Sequence, residues 1–129
     1  MSEDALWPRA ATWLQSNSSN PDISVLGVPA HKTSISKTGA QKTPAAIRKS
    51  LLRYSTYNTT RRVDIATLKV KDHGDVKSPD SLEGEQRTST LASAASATAA
   101  LTIALGGDNS ITFAVARGVF GADLSNAGL

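Results

Sequence analysis

The sequence predicts an α/β protein built on a parallel sheet, and three features carry that expectation. Short β-branched runs alternate with Ala-rich or amphipathic segments, in the order strand, helix, strand, helix, strand, helix. Such alternation marks parallel strands joined by crossover helices. The runs are closed by chain breakers, as at Gly27-Val28-Pro29 and Gly106-Gly107. A length of 129 residues suits one small domain and is too short for two.

Taken in order, Trp7 to Leu14 is expected as a short helix, with Pro8 in the first turn, where its missing N–H costs nothing. Ser16 to Asp22 (SNSSNPD) reads as a turn-rich linker. The organisation expected is therefore an N-terminal helix and linker over 1–22, then one α/β portion over 23–129. Ile23 to Val28 is apolar and β-branched, a buried strand. Ala30 to Lys42 is polar, carries Gly39, and forms a loop of the length that is often functional. Thr43-Pro44 signals a helix start, with Thr as cap and Pro at the first helical position, and Ile47, Leu51 and Tyr54 then give one apolar stripe.

Tyr57 to Arg62 reads as loop. Partial alternation from Val63 to Val70 predicts a strand near Thr67–Val70, with Asp72-His73-Gly74-Asp75 as a turn beyond its end. From Ser81 or Leu82 to Ala100 the composition is helical, with Leu91, Ala94, Ala95, Thr98 and Leu101 on the inward face. Leu101 to Leu105 is the next strand. Asp108, Asn109 and Ser110 are all suited to cap a helix running from Ile111 to about Val119. A further strand is expected to begin around Asn126–Leu129.

Composition narrows the function. Hydrophobic residues make up 40% and charged residues 19%, ordinary for a soluble globular chain. With only 5% aromatics, the core must rest on Ala, Val, Leu and Ile, which makes an isolated domain marginal. Absence of cysteine excludes disulfides and thiolate metal sites. The acidic opening Met1–Asp4 runs into no apolar stretch, which argues against a secretory signal. The most apolar segment, Leu91–Leu105, is broken by Ser93, Ser96, Thr98 and Thr102 and falls short of the ~20 residues needed to span a bilayer. A cytoplasmic protein with no membrane partner is expected.

Net charge is +3, unevenly placed: eleven Lys/Arg face three Asp between His31 and Lys77, a local +8. These charges are irregularly spaced, with no aromatic platform beyond Tyr54 and Tyr57, so they read as solvated faces rather than a nucleic-acid surface. There is no G-x-G-x-x-G, no G-x-x-x-x-G-K-[ST] and no G-x-S-x-G, which leaves nucleotide binding and serine hydrolysis without support.

Three motifs remain, in order. Gly27-Val28-Pro29, a loop to Gly39-Ala40, and Pro44-Ala45-Ala46-Ile47-Arg48 resemble the opening of the ureohydrolases, the arginase/agmatinase/formimidoylglutamase family. Asp72-His73-Gly74-Asp75-Val76 resembles the family's D-x-G-D-V, and Gly106-Gly107-Asp108-Asn109-Ser110 its G-G-D-H-S. The resemblance implies a three-layer, parallel sheet of the arginase type, reduced to about its first three strands and their helices. It also implies hydrolysis of amidine or guanidinium C–N bonds by two Mn²⁺ ions sharing a hydroxide, whose pKa two cations lower toward neutrality.

The family's first ligand is the His of G-G-D-H-S. Asn109 holds that position here, and by the resemblance it is the candidate metal residue, although a neutral amide is a weaker donor than imidazole. Read from local chemistry alone, Asn109 caps the following helix. His73, Asp75 and Asp108 are candidate site-wall residues by the same placement, while Asp72 and Asp75 read locally as turn stabilisers. His31 has no ligand partner at helical spacing. The family's D-A-H-x-D and D-x-D-x-x-D segments are absent, so no catalytic or cofactor-binding residue is assigned.

The resulting expectation is the N-terminal part of a metal-dependent hydrolase of linear amidines or guanidines, agmatinase-like or formimidoylglutamase-like, inactive as this chain. Its full-length parent is expected to bind Mn²⁺ and a small amidine or guanidinium substrate and to be a homo-oligomer. The rival expectation is a truncated or degenerate, non-catalytic member acting as an interaction module.

Overall fold

Among the described residues, five short strands and four α-helices build the architecture. A computed structural model describes residues 6–125 together with Ala127 and Gly128. In chain order the elements are α1 (Ala10–Leu14), β1 (Ile23–Val28), α2 (Thr43–Ser50), β2 (Tyr57–Asn58), β3 (Val63–Asp64), β4 (Val70–Asp75), α3 (Leu82–Thr98), β5 (Leu101–Gly106) and α4 (Ile111–Phe120). Strands β4, β1 and β5 form a parallel sheet in that order, and β2 and β3 a separate two-residue hairpin. The expected parallel α/β fold is present. The strand start expected at Asn126–Leu129 involves Asn126 and Leu129, which lie outside the described residues.

β1 is buried at all six positions because helices cover both of its faces. Leu26 and Val28 pack with Val76, Ala92 and Ala95 on the side of α3 and α4. Ile23 and Val25 pack with Leu14 and Val70 on the side of α1. Burial of Leu26 or Val28 stabilises the fold by about 1.5–3 kcal/mol each. α1 is thus part of the core, and it begins at Ala10 rather than Trp7, leaving Pro8 outside the helix.

Helix α3 is capped as its composition demands. Ser81 accepts from the Gly84 N–H at 3.0 Å, and Glu83 and Glu85 occupy the positive first turn. Its buried stripe is Gly84, Thr88, Ala92 and Ala95, whereas Ala94 and Thr98, expected inward, are exposed and Leu91 lies at the rim. Small side chains win the inner face because α3 packs closely on both β1 and α4. The Ser89 hydroxyl donates to the Ala114 carbonyl at 2.8 Å across that helix pair.

Two further expectations are corrected. Thr43 is not the cap of α2: it already lies inside the helix, after a 3₁₀ turn over Ala40–Lys42, and Tyr54 ends exposed beyond the helix. Asp72–Asp75 is not a turn but the last four residues of β4, while Thr67 and Leu68 lie outside any strand. The polar D-H-G-D run is tolerated as strand because β4 is a sheet edge, half solvated. Gly74, at φ +73°, takes up the extra residue where the register with β1 slips between Val25 and Gly27.

Candidate metal and substrate site at the carboxyl end of the sheet

In parallel sheets ligands gather beyond the carboxyl ends of the strands, where loops leave the core. Here β1 ends at Val28 and β5 at Gly106, and the two exits are sewn together by the backbone. Gly107 N–H donates to Val28 O at 2.9 Å, and Asp108 N–H to Ala30 O at 2.9 Å. Residue 107 must be glycine, since a Cβ there would collide with the Ala30 carbonyl.

Asp108 then organises the corner. One carboxylate oxygen accepts from the Ser110 N–H at 3.1 Å and from the Ser110 hydroxyl, and the other from Thr33 Oγ1 at 3.0 Å and Ser34 Oγ at 2.9 Å. The Ser110 hydroxyl foremost, with Ser34, the Ser110 amide and Thr33, outweighs the cost of burial and pulls the Asp108 carboxyl down to about 2. Asp108, proposed as site wall, is therefore a fixed anion that ties the 31–42 loop to the β5–α4 turn.

Asn109 is exposed at this corner, and its carbonyl accepts from the Thr112 N–H at 3.1 Å. The expected capping role fails. Ser110 holds the N-cap position of α4 without a side-chain cap bond, and the Asp108 turn has taken over the task. The carboxamide of Asn109 is left free of any structural duty.

The start of the loop, next to Thr33 and Ser34, is anchored also by Asp80, whose side chain is 6% exposed. Asp80 Oδ1 accepts from the His31 and Lys32 N–H groups, each at 2.9 Å, and Oδ2 stands 3.3 Å from His31 Nδ1. Sequence reasoning gave His31 no role; its partner lies 49 residues away, which no local spacing reveals. A cavity of about 510 Å³ opens within this loop, lined by residues from His31 to Lys42.

The other two candidate wall residues turn to different partners. Asp75 accepts from Arg48 Nη1 at 2.6 Å, while Arg48 Nε and Nη2 grip both oxygens of Asp72 at 2.6 and 2.8 Å. Hydrogen bonding to Asp72 foremost raises the Arg48 pKa against the cost of burial. Burial opposes ionisation of Asp72, but bonds from Arg48 and the Gly74 N–H prevail and hold its carboxyl below the usual range. Arg48 is visible in the sequence only as the last letter of the P-x-x-I-R motif, and its clamp joins α2 to β4. His73 Nε2 lies 3.1 Å from the Ser24 hydroxyl, near the amino end of β1, and burial foremost lowers its pKa.

Among the described residues no group of three or more His, Asp or Glu is placed to hold a metal ion. Asn109 is a single neutral donor, so this chain does not by itself fit a two-manganese centre.

A parallel α/β sheet with glycine-turned exits and an Asp-braced corner defines the architectural class. Residues 21–125 match the model of the arginase family, and the chain belongs to that family. It is 44% identical to a formimidoylglutamase of Halalkalibacterium halodurans over 52 residues, 40% of this chain and 16% of that protein. It is 37% identical to an agmatinase of Pyrococcus horikoshii over 95 residues, 71% of this chain and 34% of that protein. Trypanosoma cruzi formiminoglutamase, solved with Mn²⁺, superposes with a TM-score of 0.77 at 26% identity over 88% of this chain and 41% of that one. An Asn-to-His variant of the same enzyme, also with Mn²⁺, gives a TM-score of 0.78 at 25% identity over 88% and 40%. The chain thus spans about a third or less of these curated relatives and about two fifths of the solved enzyme.

Proposed function

We propose that this chain supplies the N-terminal part of a metal-dependent hydrolase of linear amidines or guanidines and is inactive alone. The observation that carries the reading is the Gly107-Asp108-Asn109-Ser110 corner. It lies at the carboxyl end of β5, is bonded to the exit of β1, and leaves the residue at the family's ligand position exposed and uncommitted. A manganese-containing neighbour carries the same exchange of residue types, Asn to His, that separates Asn109 from the family's motif. The remaining ligands belong to the part of the fold that this chain does not span.

Within such an enzyme the chain's own groups position rather than react. Asp108 holds Thr33 and Ser34 against the corner, so the loop and the ligand position move as one unit. Arg48 fixes the exit of β4 through Asp72 and Asp75. The test is a chimera in which residues 21–125 replace the matching part of the H. halodurans formimidoylglutamase. Manganese-dependent amidine hydrolysis is expected; a folded chimera with no turnover at any Mn²⁺ concentration would overturn the reading. The uncovered apolar edge of β5 favours a second reading, a non-catalytic interaction module, and that chimera outcome would leave it standing.

A further inference from the structure

The family's relatives act on amidines whose far ends carry opposite charge: formimidoylglutamate ends in carboxylates, agmatine in an ammonium. Charge at the loop beside the corner therefore discriminates between them. We infer that the 31–42 loop is a carboxylate receptor, and that the substrate it admits is an amidine bearing carboxylates rather than a cationic one. Its assignment to substrate rests on the hydrolase reading; the receptor itself rests on charge and shape.

The cavity of about 510 Å³ is lined by Lys32, Lys37 and Lys42 and by the hydroxyls of Ser34, Ser36 and Thr38, with no Asp or Glu among its lining residues. All three lysines are exposed. Two carboxylates hydrogen-bond the loop, and both stand outside the cavity lining. Asp80 is taken by two backbone N–H groups and faces the His31 ring, and Asp108 by Thr33, Ser34 and Ser110. Both keep their charge, but neither lines the cavity, so the ionised side chains of the lining are the three lysines. A carboxylate entering the cavity meets the lysines and the hydroxyls of Ser36 and Thr38, since Ser34 already donates to Asp108, and such pairing gives strong charge-assisted hydrogen bonds. Agmatine's ammonium meets like charge along the lining. Ser34 links this cavity to the corner, since it lines the one and donates to Asp108 in the other, one residue from Asn109. The cavity and the family's ligand position are thus joined through Ser34 and Asp108.

The experiment titrates the 129-residue chain, without metal, with L-glutamate, N-formimidoyl-L-glutamate and agmatine, following the backbone amide resonances of residues 31–42. The two carboxylates should shift them saturably and agmatine should not. The combined Lys32→Gln, Lys37→Gln, Lys42→Gln variant should bind the carboxylates about tenfold more weakly. A Lys69→Gln, Lys71→Gln variant removes charge elsewhere and should bind unchanged. Equal binding of agmatine, no binding of either carboxylate, or binding that survives the triple variant would overturn the receptor. Failure of the hydrolase reading is separately visible, because an inactive chimera leaves this metal-free binding intact. A chimera that hydrolyses agmatine in preference to formimidoylglutamate would instead sink the substrate assignment alone.

Discussion

Arg48 holds two carboxylates at once, and its two partners are not equivalent. Asp72 is 16% exposed and bound through both oxygens, while Asp75 is 40% exposed and bound through one. Removing the better buried, bidentate partner leaves Arg48 only the more solvated Asp75, so Asp72→Asn should cost about 2 kcal/mol in urea unfolding. Solvent screens the second pair, and Asp75→Asn should cost under about 1 kcal/mol; equal losses would refute the ranking. Asp72 and Asp108 both have depressed carboxyl pKa values, so each contributes stability that is complete above the unfolded-chain value. That stability is lost as pH falls through the folded value, because the unfolded state takes up protons first. Thermal midpoints should be level above about pH 5 and decline from about pH 4 toward pH 2, less steeply in Asp108→Asn; a midpoint rising on acidification would contradict both assignments. Asn109 caps nothing, so Asn109→Ala should cost less than about 0.5 kcal/mol in the same melts, below the usual range for a lost cap. In the chimera, Asn109→His should tighten Mn²⁺ binding, and unchanged affinity would remove position 109 from the metal site.

At the level of elements, the weakest place is β5. It pairs with β1 on one side only, and among the described residues nothing pairs with its other edge. Leu101 and Ile103 are 52% and 38% exposed, and Phe113 and Phe120 of α4 are half exposed. An apolar strand with open N–H and C=O groups is a template for another chain. The 129-residue chain should therefore self-associate as concentration rises, and Ile103→Lys should restore monomer in sedimentation velocity. A wild-type monomer at high concentration would count against the edge as a liability. Elements with strong apolar patterning are legible in the amino-acid sequence: β1, α3, β5 and α4 fall within a residue or two of expectation. Those whose state is set by long-range pairing are not. β4 extends through Asp72–Asp75 because β1 offers it hydrogen bonds, and nothing in D-H-G-D announces a strand. The corner is legible as a motif, but Asp108 and Asp80 as anchors of the 31–42 loop are not, since their partners lie 48 to 75 residues away.

For the molecule as a whole, the question is what two fifths of an arginase-family fold does unaided. The sheet is in place, both faces of β1 are covered, and the corner and its loop are braced by buried or fully bonded carboxylates. What the described residues lack is a set of charged donors. Divalent manganese is held by carboxylate oxygens and imidazole nitrogens, and a two-metal site needs several of them in a fixed array. Asp72, Asp75, Asp80 and Asp108 are each committed to Arg48, to backbone amides or to hydroxyls, and withdrawing any of them would undo an anchor. His73 leans on Ser24 rather than on a carboxylate. A single neutral amide at position 109 remains. The isolated chain should therefore leave the electron paramagnetic resonance signal of free Mn²⁺ undiminished, even with protein in excess. It should also hydrolyse agmatine, arginine and formimidoylglutamate no faster than buffer does. Loss of the free-ion signal at micromolar protein, or turnover that rises with added Mn²⁺, would show that these residues rearrange into a donor set that the folded arrangement does not contain.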